Sequence, residues 1–184
     1  MPGPAYSLPA KECHVGGILV GVKDSVCHNC YARKGRYPLD NVQRVLYKRL
    51  ASLKHQRWAE AVSTLILASA TTHFRWHDSG DLQGHWHLDR IFEVCARTPR
   101  VKHWLPTKEY EIIGAISLSD VPPNLVIRVS SPLINGDPVR WWRHTSTVVS
   151  NGSHTCVAPL QDNQCGLCRK CWQRSVRNLS YKNK

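Results

Sequence analysis

Apolar residues recur at helical spacing in the first 150 residues. Steps of three and four separate Val42, Leu46, Leu50 and Leu53 and continue from Trp58, which predicts one helix, or two nearly continuous helices, over 40–69. The same spacing predicts helices over 84–97 and over 108–117. Short apolar runs rich in β-branched and aromatic residues predict strands at 5–10, 72–77, 101–105, 125–129 and 145–149, and a short strand or hairpin at 18–22.

The order of these elements predicts the fold class. Helices that alternate with short apolar strands are typical of a parallel sheet built from right-handed βαβ units. About five strands are too few for a closed eight-stranded barrel. We therefore predict an α/β fold in which residues 1–150 form a partial, open TIM-like βα barrel of about five mainly parallel strands, with an N-terminal cysteine loop. Residues 151–184 are predicted to form an irregular, cysteine-rich, cluster-binding tail.

Polar residues follow the predicted strands, and parallel α/β folds build their sites at the carboxyl ends of the strands. Asp78 and Asp81 follow the second strand and can position a substrate or transfer a proton, or simply form a turn and cap the next helix. Lys108 follows the third strand and is a candidate for holding an anionic ligand. Arg128, on the fourth strand, is predicted to pair with Asp78 or Asp81, or to bind a carboxylate ligand.

The net charge and the cysteine content indicate which partners and which cellular compartment to expect. The chain carries a formal net charge of +12, which attracts polyanions such as nucleic acid. No apolar run is long enough to span a membrane, and the N-terminus lacks the basic and apolar segments of a secretory signal. We therefore expect a cytoplasmic protein with no membrane partner, in which eight cysteines favour metal binding or catalysis over disulfides.

Four cysteines near the C-terminus have the spacing of an iron–sulfur site. Two-residue gaps separate Cys165, Cys168 and Cys171, and Cys156 precedes them by a longer loop. Repeated two-residue gaps are typical of 4Fe–4S ligation, because successive thiolates reach different irons. Structural zinc prefers two separated pairs of ligands and is the second interpretation, and free or disulfide-bonded thiols are the third.

A second cysteine group lies near the N-terminus and consists of Cys13, Cys27 and Cys30. Three thiolates on a four-iron cluster leave one iron available for an exogenous ligand. With His14 or His28 as a fourth ligand, the same group can instead hold zinc. A further interpretation is a single cluster that takes ligands from both ends of the chain, since the termini of compact domains are often close.

Five segments follow one another in a characteristic order: 25–32 (SVCHNCYA), 77–82 (HDSGDL), 96–99 (ARTP), 104–108 (WLPTK) and 123–129 (PNLVIRV). In this order they resemble the phage protein family called gene product 88, and the larger phage family of radical-SAM-like proteins. The resemblance covers about residues 5–131, and in the gene product 88 family it extends to the cysteine tail.

The resemblance implies a partial TIM barrel with a 4Fe–4S cluster at its mouth, held by the N-terminal cysteine group. It implies that Ser79, Gly80 and Asp81 lie where radical-SAM enzymes contact the methionine amino group of S-adenosylmethionine (SAM). It also implies that the four C-terminal cysteines form an auxiliary-cluster extension. The expected cofactors are thus one or two 4Fe–4S clusters, with SAM as a candidate.

Two classes of function follow from these patterns. The first is a radical-SAM-like iron–sulfur enzyme that acts on a nucleotide, nucleic acid or other anionic substrate, with a reductant protein as partner and a phage-infected bacterial host as its setting. The second is a non-catalytic iron–sulfur or zinc-stabilised protein that binds nucleic acid or senses redox state. The stretch 140–144 (RWWRH) can stack nucleobases, or can anchor the tail onto the barrel by packing.

Overall fold

Six parallel strands form one sheet in the computed structural model, which describes residues 3–183. The strands lie side by side in chain order, so β1 and β6 form the two edges and the sheet does not close. The predicted α/β class with a partial, open TIM-like architecture is therefore confirmed. The strands are β1 (Ala5–Tyr6), β2 (His73–Trp76), β3 (Lys102–Thr107), β4 (Leu125–Ile134), β5 (Thr145–Val149) and β6 (Asn178–Lys182).

The helices agree with the apolar spacing, with one shorter than predicted. The long stretch forms two helices, and the third predicted helix keeps only its central part, because the backbone before it is bonded to the end of β3 and to the loop after β2. The helices are α1 (His14–Leu19), α2 (Asp40–Ser52), α3 (Trp58–Ala68), α4 (His85–Arg97) and α5 (Tyr110–Gly114).

Two local predictions were wrong. The segment 18–22 is no strand or hairpin, because α1 begins directly after Cys13 and its first free N–H groups find an acceptor in the Glu109 carboxylate. The tail is not wholly irregular, since it returns to the sheet as β6 and pairs with β5 from Asn178 to Lys182. Polar residues alternate along β6, so this segment contains no apolar run that would have predicted a strand.

One face of the sheet packs against α3 and α4 and contains the main core. Side chains of Phe74, Trp76 and Leu105 point to this face and meet α3 and α4 in one cluster of buried apolar residues. Trp142 belongs to the same cluster and donates from Nε1 to the carbonyl of Ile127 at 3.0 Å. At least one tryptophan of the 140–144 stretch is thus used for packing, whereas half of Trp141 is exposed.

The cysteine tail covers the opposite face, which we call the inner face. Trp172 of the tail donates from Nε1 to the carbonyl of Phe74 at 2.8 Å, and its ring lies 5.2 Å from that of Trp104. Both faces of the sheet are therefore buried, one under helices and the other under the tail. The strand register assigns these residues to the inner face: His73, Arg75, Trp104, Val126, Arg128, Ser146, Leu179 and Tyr181.

Arg128 attaches the tail to the inner face. Its side chain is fully buried, and its guanidinium donates to six backbone carbonyls. The acceptors are Thr145 at 3.4 Å, Lys170 at 3.0 Å, Cys171 at 3.0 Å, Gln173 at 3.0 Å, Val176 at 3.0 Å and Arg177 at 3.4 Å. The structure therefore corrects the expectation that Arg128 pairs with Asp78 or Asp81, because its donors bond to backbone carbonyls of β5 and the tail. Its role in cofactor binding stays a prediction.

No helix among residues 3–183 has both the length and the apolar character that crossing a bilayer requires.

Replacing Arg128 with Met should destabilise the fold by about 3 kcal/mol or more, because buried carbonyls lose their donor and no water can replace it. The measurement is urea unfolding followed by circular dichroism on anaerobic preparations. Arg44 is exposed on α2 and provides the matched control, since Arg44→Met should change stability by less than about 0.5 kcal/mol. Equal unfolding midpoints for the two variants would contradict the assigned role of Arg128.

Candidate metal centres

The N-terminal cysteine loop lies across the carboxyl ends of the strands. The backbone N–H of Val26 donates to the carbonyl of Pro132 at 2.9 Å, and the N–H of Ile134 donates to the carbonyl of Asp24 at 2.9 Å. These two bonds fix the loop to the end of β4, between the turns of α1 and the Cys27–Cys30 pair. The three cysteines of the loop consequently lie at the mouth of the open barrel.

Two of these thiols share one small space beside Gly16. A Cβ atom at Gly16 would lie 3.7 Å from the Sγ atoms of both Cys13 and Cys27, and 3.0 Å from the Cβ of Cys13. An added methyl group would therefore press on the Cys13 side chain and fill part of the space that both sulfurs line. The backbone N–H of Cys30 donates to the carbonyl of Cys27 at 3.1 Å, so Cys30 lies within one tight turn of Cys27. We call this group the mouth site.

Glu109 connects the mouth site to β3, a role that no sequence pattern indicated. Its carboxylate accepts from the backbone N–H groups of His14 at 3.2 Å and Val15 at 3.3 Å. The residue is buried, and burial raises the pKa of its carboxyl, with the charge of Asp81 adding to the effect. Glu109 thus holds the start of α1, and with it Cys13, against the end of β3.

Asp81 is a buried acceptor at the same end of the sheet. Its carboxylate accepts from the Thr107 hydroxyl at 2.6 Å, from the backbone N–H of Lys108 at 2.9 Å and from that of Leu82 at 2.8 Å. Burial raises the pKa of Asp81, whereas the three donors oppose this rise. The structure therefore brings Asp81, Lys108 and the mouth cysteines together, as the convergence of strand ends predicted.

The pKa values of Cys13 and Cys27 depend on burial and on nearby charges, among them the Lys108 ammonium. Burial raises the pKa of Cys13 well above its ordinary value, and the charge of Asp81 contributes in the same direction. Burial also raises the pKa of Cys27, but the Lys108 ammonium opposes this rise. Lys108 is thus close enough to the mouth site to stabilise negative charge there.

Ser79 and Gly80 connect the loop after β2 to the end of β1. The Ser79 hydroxyl donates to the carbonyl of Leu8 at 2.7 Å, and the N–H of Leu8 donates to the carbonyl of Ser79 at 2.8 Å. Gly80 has φ +80°, and a Cβ atom there would lie 2.5 Å from the Cβ of Leu8. Their observed contacts are with the protein's own backbone, and their proposed role in cofactor binding stays a prediction.

Asp78 points away from Asp81 and binds the segment that follows Cys30. Its carboxylate forms an ion pair with Arg75 at 2.8 Å and accepts from the Tyr37 hydroxyl, while its carbonyl accepts from the Tyr31 hydroxyl. The two predicted acids therefore have different surroundings. Asp81 supports the mouth site, and Asp78 orders the tyrosines beside it.

His77 does not join either acid. Its ring is buried and lies 5.3 Å from the ring of His87, and burial lowers the pKa of both imidazoles. The backbone of His77 has φ +55°, a conformation that residues with a side chain rarely adopt. The two imidazoles therefore favour the neutral form and lie beside each other inside the protein.

The four C-terminal cysteines line a single small cavity in the tail, against the inner face of the sheet. Trp172 and Leu179 form part of its apolar wall. Burial raises the pKa of Cys171 to about 11, and the Tyr181 hydroxyl lies 3.6 Å from the Cys171 sulfur. The spacing that predicted one shared site thus corresponds to one shared space, which we call the tail site.

No disulfide joins the two groups or the members of either group, all of which lie within the described residues. Within residues 3–183, no three or more His, Cys, Asp or Glu side chains are placed so that they could hold a metal ion. The assignment of metal to either group accordingly stays a prediction, as does the division of the chain at residue 150.

Comparison with known proteins identifies the family. The family model of gene product 88 matches residues 1–174, which is nearly the whole chain. The protein belongs to the gene product 88 family. No curated protein and no solved structure matches the chain. The match extends through all four tail cysteines, so both cysteine groups lie within the gene product 88 unit, whereas a relationship to radical-SAM-like proteins stays a prediction.

The raised pKa of Cys13 predicts how this thiol reacts in the metal-free protein. Because the thiolate is the nucleophile, iodoacetamide should modify Cys13 slowly at pH 7, and the rate should still be rising at pH 10. In the urea-unfolded chain the same rate should level off near the ordinary thiol pKa of about 8.5. Peptide mass spectrometry over a pH series provides the rates, and superimposable native and unfolded profiles would refute the burial of this thiol.

Proposed function

We propose that this protein is an iron–sulfur protein with an open 4Fe–4S site at the barrel mouth and a second 4Fe–4S site in the tail. We further propose that it is a radical-SAM-like enzyme acting on a nucleotide or another anionic substrate. The observation that carries the proposal is the shared space of Cys13 and Cys27 beside Gly16, at the carboxyl ends of parallel strands.

The donor set at the mouth fits an open cluster. Three thiols bind three irons and leave one position for an exogenous ligand, as catalytic metal sites do. Asp81 and Glu109 are both held by hydrogen bonds from the protein, so their carboxylates serve the framework around the thiols. Lys108 opposes the negative charge that three thiolates would bring to this edge.

The tail site fits a closed cluster. Its four cysteines supply all the ligands that a four-iron cube needs, and its wall contains Trp172 and Leu179. Thiolates on one zinc ion would lie about 3.8 Å apart, since each Zn–S bond is about 2.3 Å. Thiolates on a cube bind different irons and stand farther apart. The two-residue spacing of Cys165, Cys168 and Cys171 favours the cube over zinc.

An open 4Fe–4S cluster supplies one-electron reduction to a ligand such as SAM at its free iron. The chain's own residues would orient that ligand and exclude water. Lys108 lies at the mouth with an ammonium group that can hold a carboxylate or phosphate. The Tyr110 hydroxyl donates to the carbonyl of Ser130 at 2.8 Å, which connects the start of α5 to β4 beside the mouth.

Substituting Gly16 with Ala tests the mouth site through a single methyl group. The methyl would occupy the space between the sulfurs of Cys13 and Cys27, so iron bound at the mouth should be lost. Gly17→Ala, one residue later in α1, is the matched control because nothing lies within 4 Å of its added carbon. Both changes gain helix propensity, by roughly 1 kcal/mol.

Iron content and absorbance near 400 nm of anaerobically purified protein distinguish the two variants. We expect Gly17→Ala to match the wild type and Gly16→Ala to lose about half of the iron, with the tail site retained. Equal iron in both variants would show that the mouth cysteines bind no cluster.

Separate substitutions of Cys13 and Cys171 test whether there are two sites or one. The two groups occupy different spaces, so Cys13→Ala and Cys171→Ala should each retain about half of the wild-type iron. Loss of all iron from either variant would instead indicate one cluster that shares ligands from both groups. Zinc without sulfide in the wild type would support the zinc-stabilised alternative.

The enzymatic part of the proposal is tested by EPR spectroscopy of the dithionite-reduced protein. Adding SAM should change the signal of the wild type and of Cys171→Ala, but should have no effect on Cys13→Ala. An unchanged signal in all three proteins would leave a non-catalytic iron–sulfur protein as the function that fits the two sites.

A further inference from the structure

We propose that the surface groove beside Cys30 binds a phosphorylated planar ring, the chemistry of a nucleotide. The groove is lined by Asn29, Tyr31, Lys34, Gly35, Arg36 and Tyr37. This inference deepens the proposed function, because it names the substrate class for the mouth site. The binding of the nucleotide itself does not depend on metal.

Two tyrosine rings form the planar part of the groove. The rings of Tyr31 and Tyr37 lie 5.8 Å apart at an angle of 65°, and 55% of Tyr31 is exposed. Both hydroxyls are anchored on Asp78, one on its carbonyl and the other on its carboxylate. The rings are thus fixed in place before any ligand arrives, which lowers the entropic cost of stacking a base on them.

Two basic side chains form the anion-binding part. The Lys34 ammonium donates to the neutral amide of Asn29 at 3.0 Å, and Arg36 is exposed. Neither takes part in an ion pair within residues 3–183. Their full charges are therefore available to a phosphate group.

The one acid that contacts the tyrosines is already neutralised. Asp78 forms its ion pair with Arg75 at 2.8 Å, so it offers little repulsion to an incoming phosphate. Proteins hold single nucleotides and single strands by combining aromatic rings, on which bases stack, with nearby basic side chains that bind phosphate. Apolar ligands without a phosphate would leave both cations unused.

The position of the groove connects it to the mouth site. Asn29 and Tyr31 flank Cys30 in the chain, and both line the groove. A ligand stacked on Tyr31 would therefore lie next to the third thiol of the mouth site. This placement distinguishes the groove from the other basic and aromatic stretch, 140–144, where Trp142 is buried and Arg140 pairs with Asp137 at 3.6 Å.

The test measures the binding of two probes to the anaerobically purified full chain. Isothermal titration with ADP reports on free nucleotides, and anisotropy of a short 5′-fluorescein-labelled oligothymidylate reports on single strands. Binding of ADP with equal or greater affinity supports a free nucleotide as the source of the chemistry, and tighter binding of the oligonucleotide supports a strand. Failure of both probes to bind would overturn the inference.

Charge substitutions test whether the groove is the binding site. Lys34→Gln combined with Arg36→Gln should raise Kd at least about tenfold and lower the salt dependence by roughly two phosphate contacts. Arg100→Gln combined with Lys102→Gln is the matched control, because it removes the same charge from exposed residues at the amino end of β3, away from the strand ends that form the mouth. If both double substitutions raised Kd equally, the effect would be a general charge attraction, and the groove would not be the binding site.

Tyr31→Leu removes the stacking surface and should raise Kd by about tenfold or more. Tyr47→Leu changes another exposed tyrosine, on α2, and should leave Kd unchanged. Iron content separates the two proposals. Variants that retain iron but lose nucleotide affinity would support the groove as the binding site. If the wild-type protein contained no iron but still bound nucleotide through Lys34 and Arg36, the groove would be supported and the iron–sulfur function would be refuted.

Discussion

The fold depends on the attachment of the cysteine tail to the inner face of the open sheet. An open βα sheet exposes its inner face unless something covers it, and here a buried guanidinium binds six carbonyls of β5 and the tail. Because Arg128 donates every bond to backbone oxygen, the tail is fixed in position without a paired acid. The tail site and β6 both follow from this attachment.

The two cysteine groups have different relations to the same sheet. The mouth site lies over the strand ends and depends on Asp81 and Glu109, whereas the tail site lies against the inner face beside Trp172 and Tyr181. Arg75 lies between them, with its guanidinium 4.7 Å from the ring centre of Trp104 and 3.5 Å from the Tyr31 hydroxyl. All seven thiols of the two groups are partly exposed, so the groups differ in the part of the sheet they lie against and not in burial.

Much of the fold could be predicted from periodicity, because helices and buried parallel strands carry strong apolar patterns. The convergence of Asp81 and Lys108 followed from strand order alone. The tail partners of Arg128 could not be predicted, since they are five carbonyls 42 to 49 residues away and carry no side-chain signal. Gly16 gave no signal either, because its role depends on two sulfurs brought together by tertiary contacts.

The central claim is that both groups bind four-iron clusters, and the most direct measurement is iron and acid-labile sulfide per chain in anaerobically purified protein. Two cubes predict about eight iron and about eight sulfide per chain. Zinc without sulfide, or thiols that remain free after reconstitution with iron and sulfide, would contradict the account.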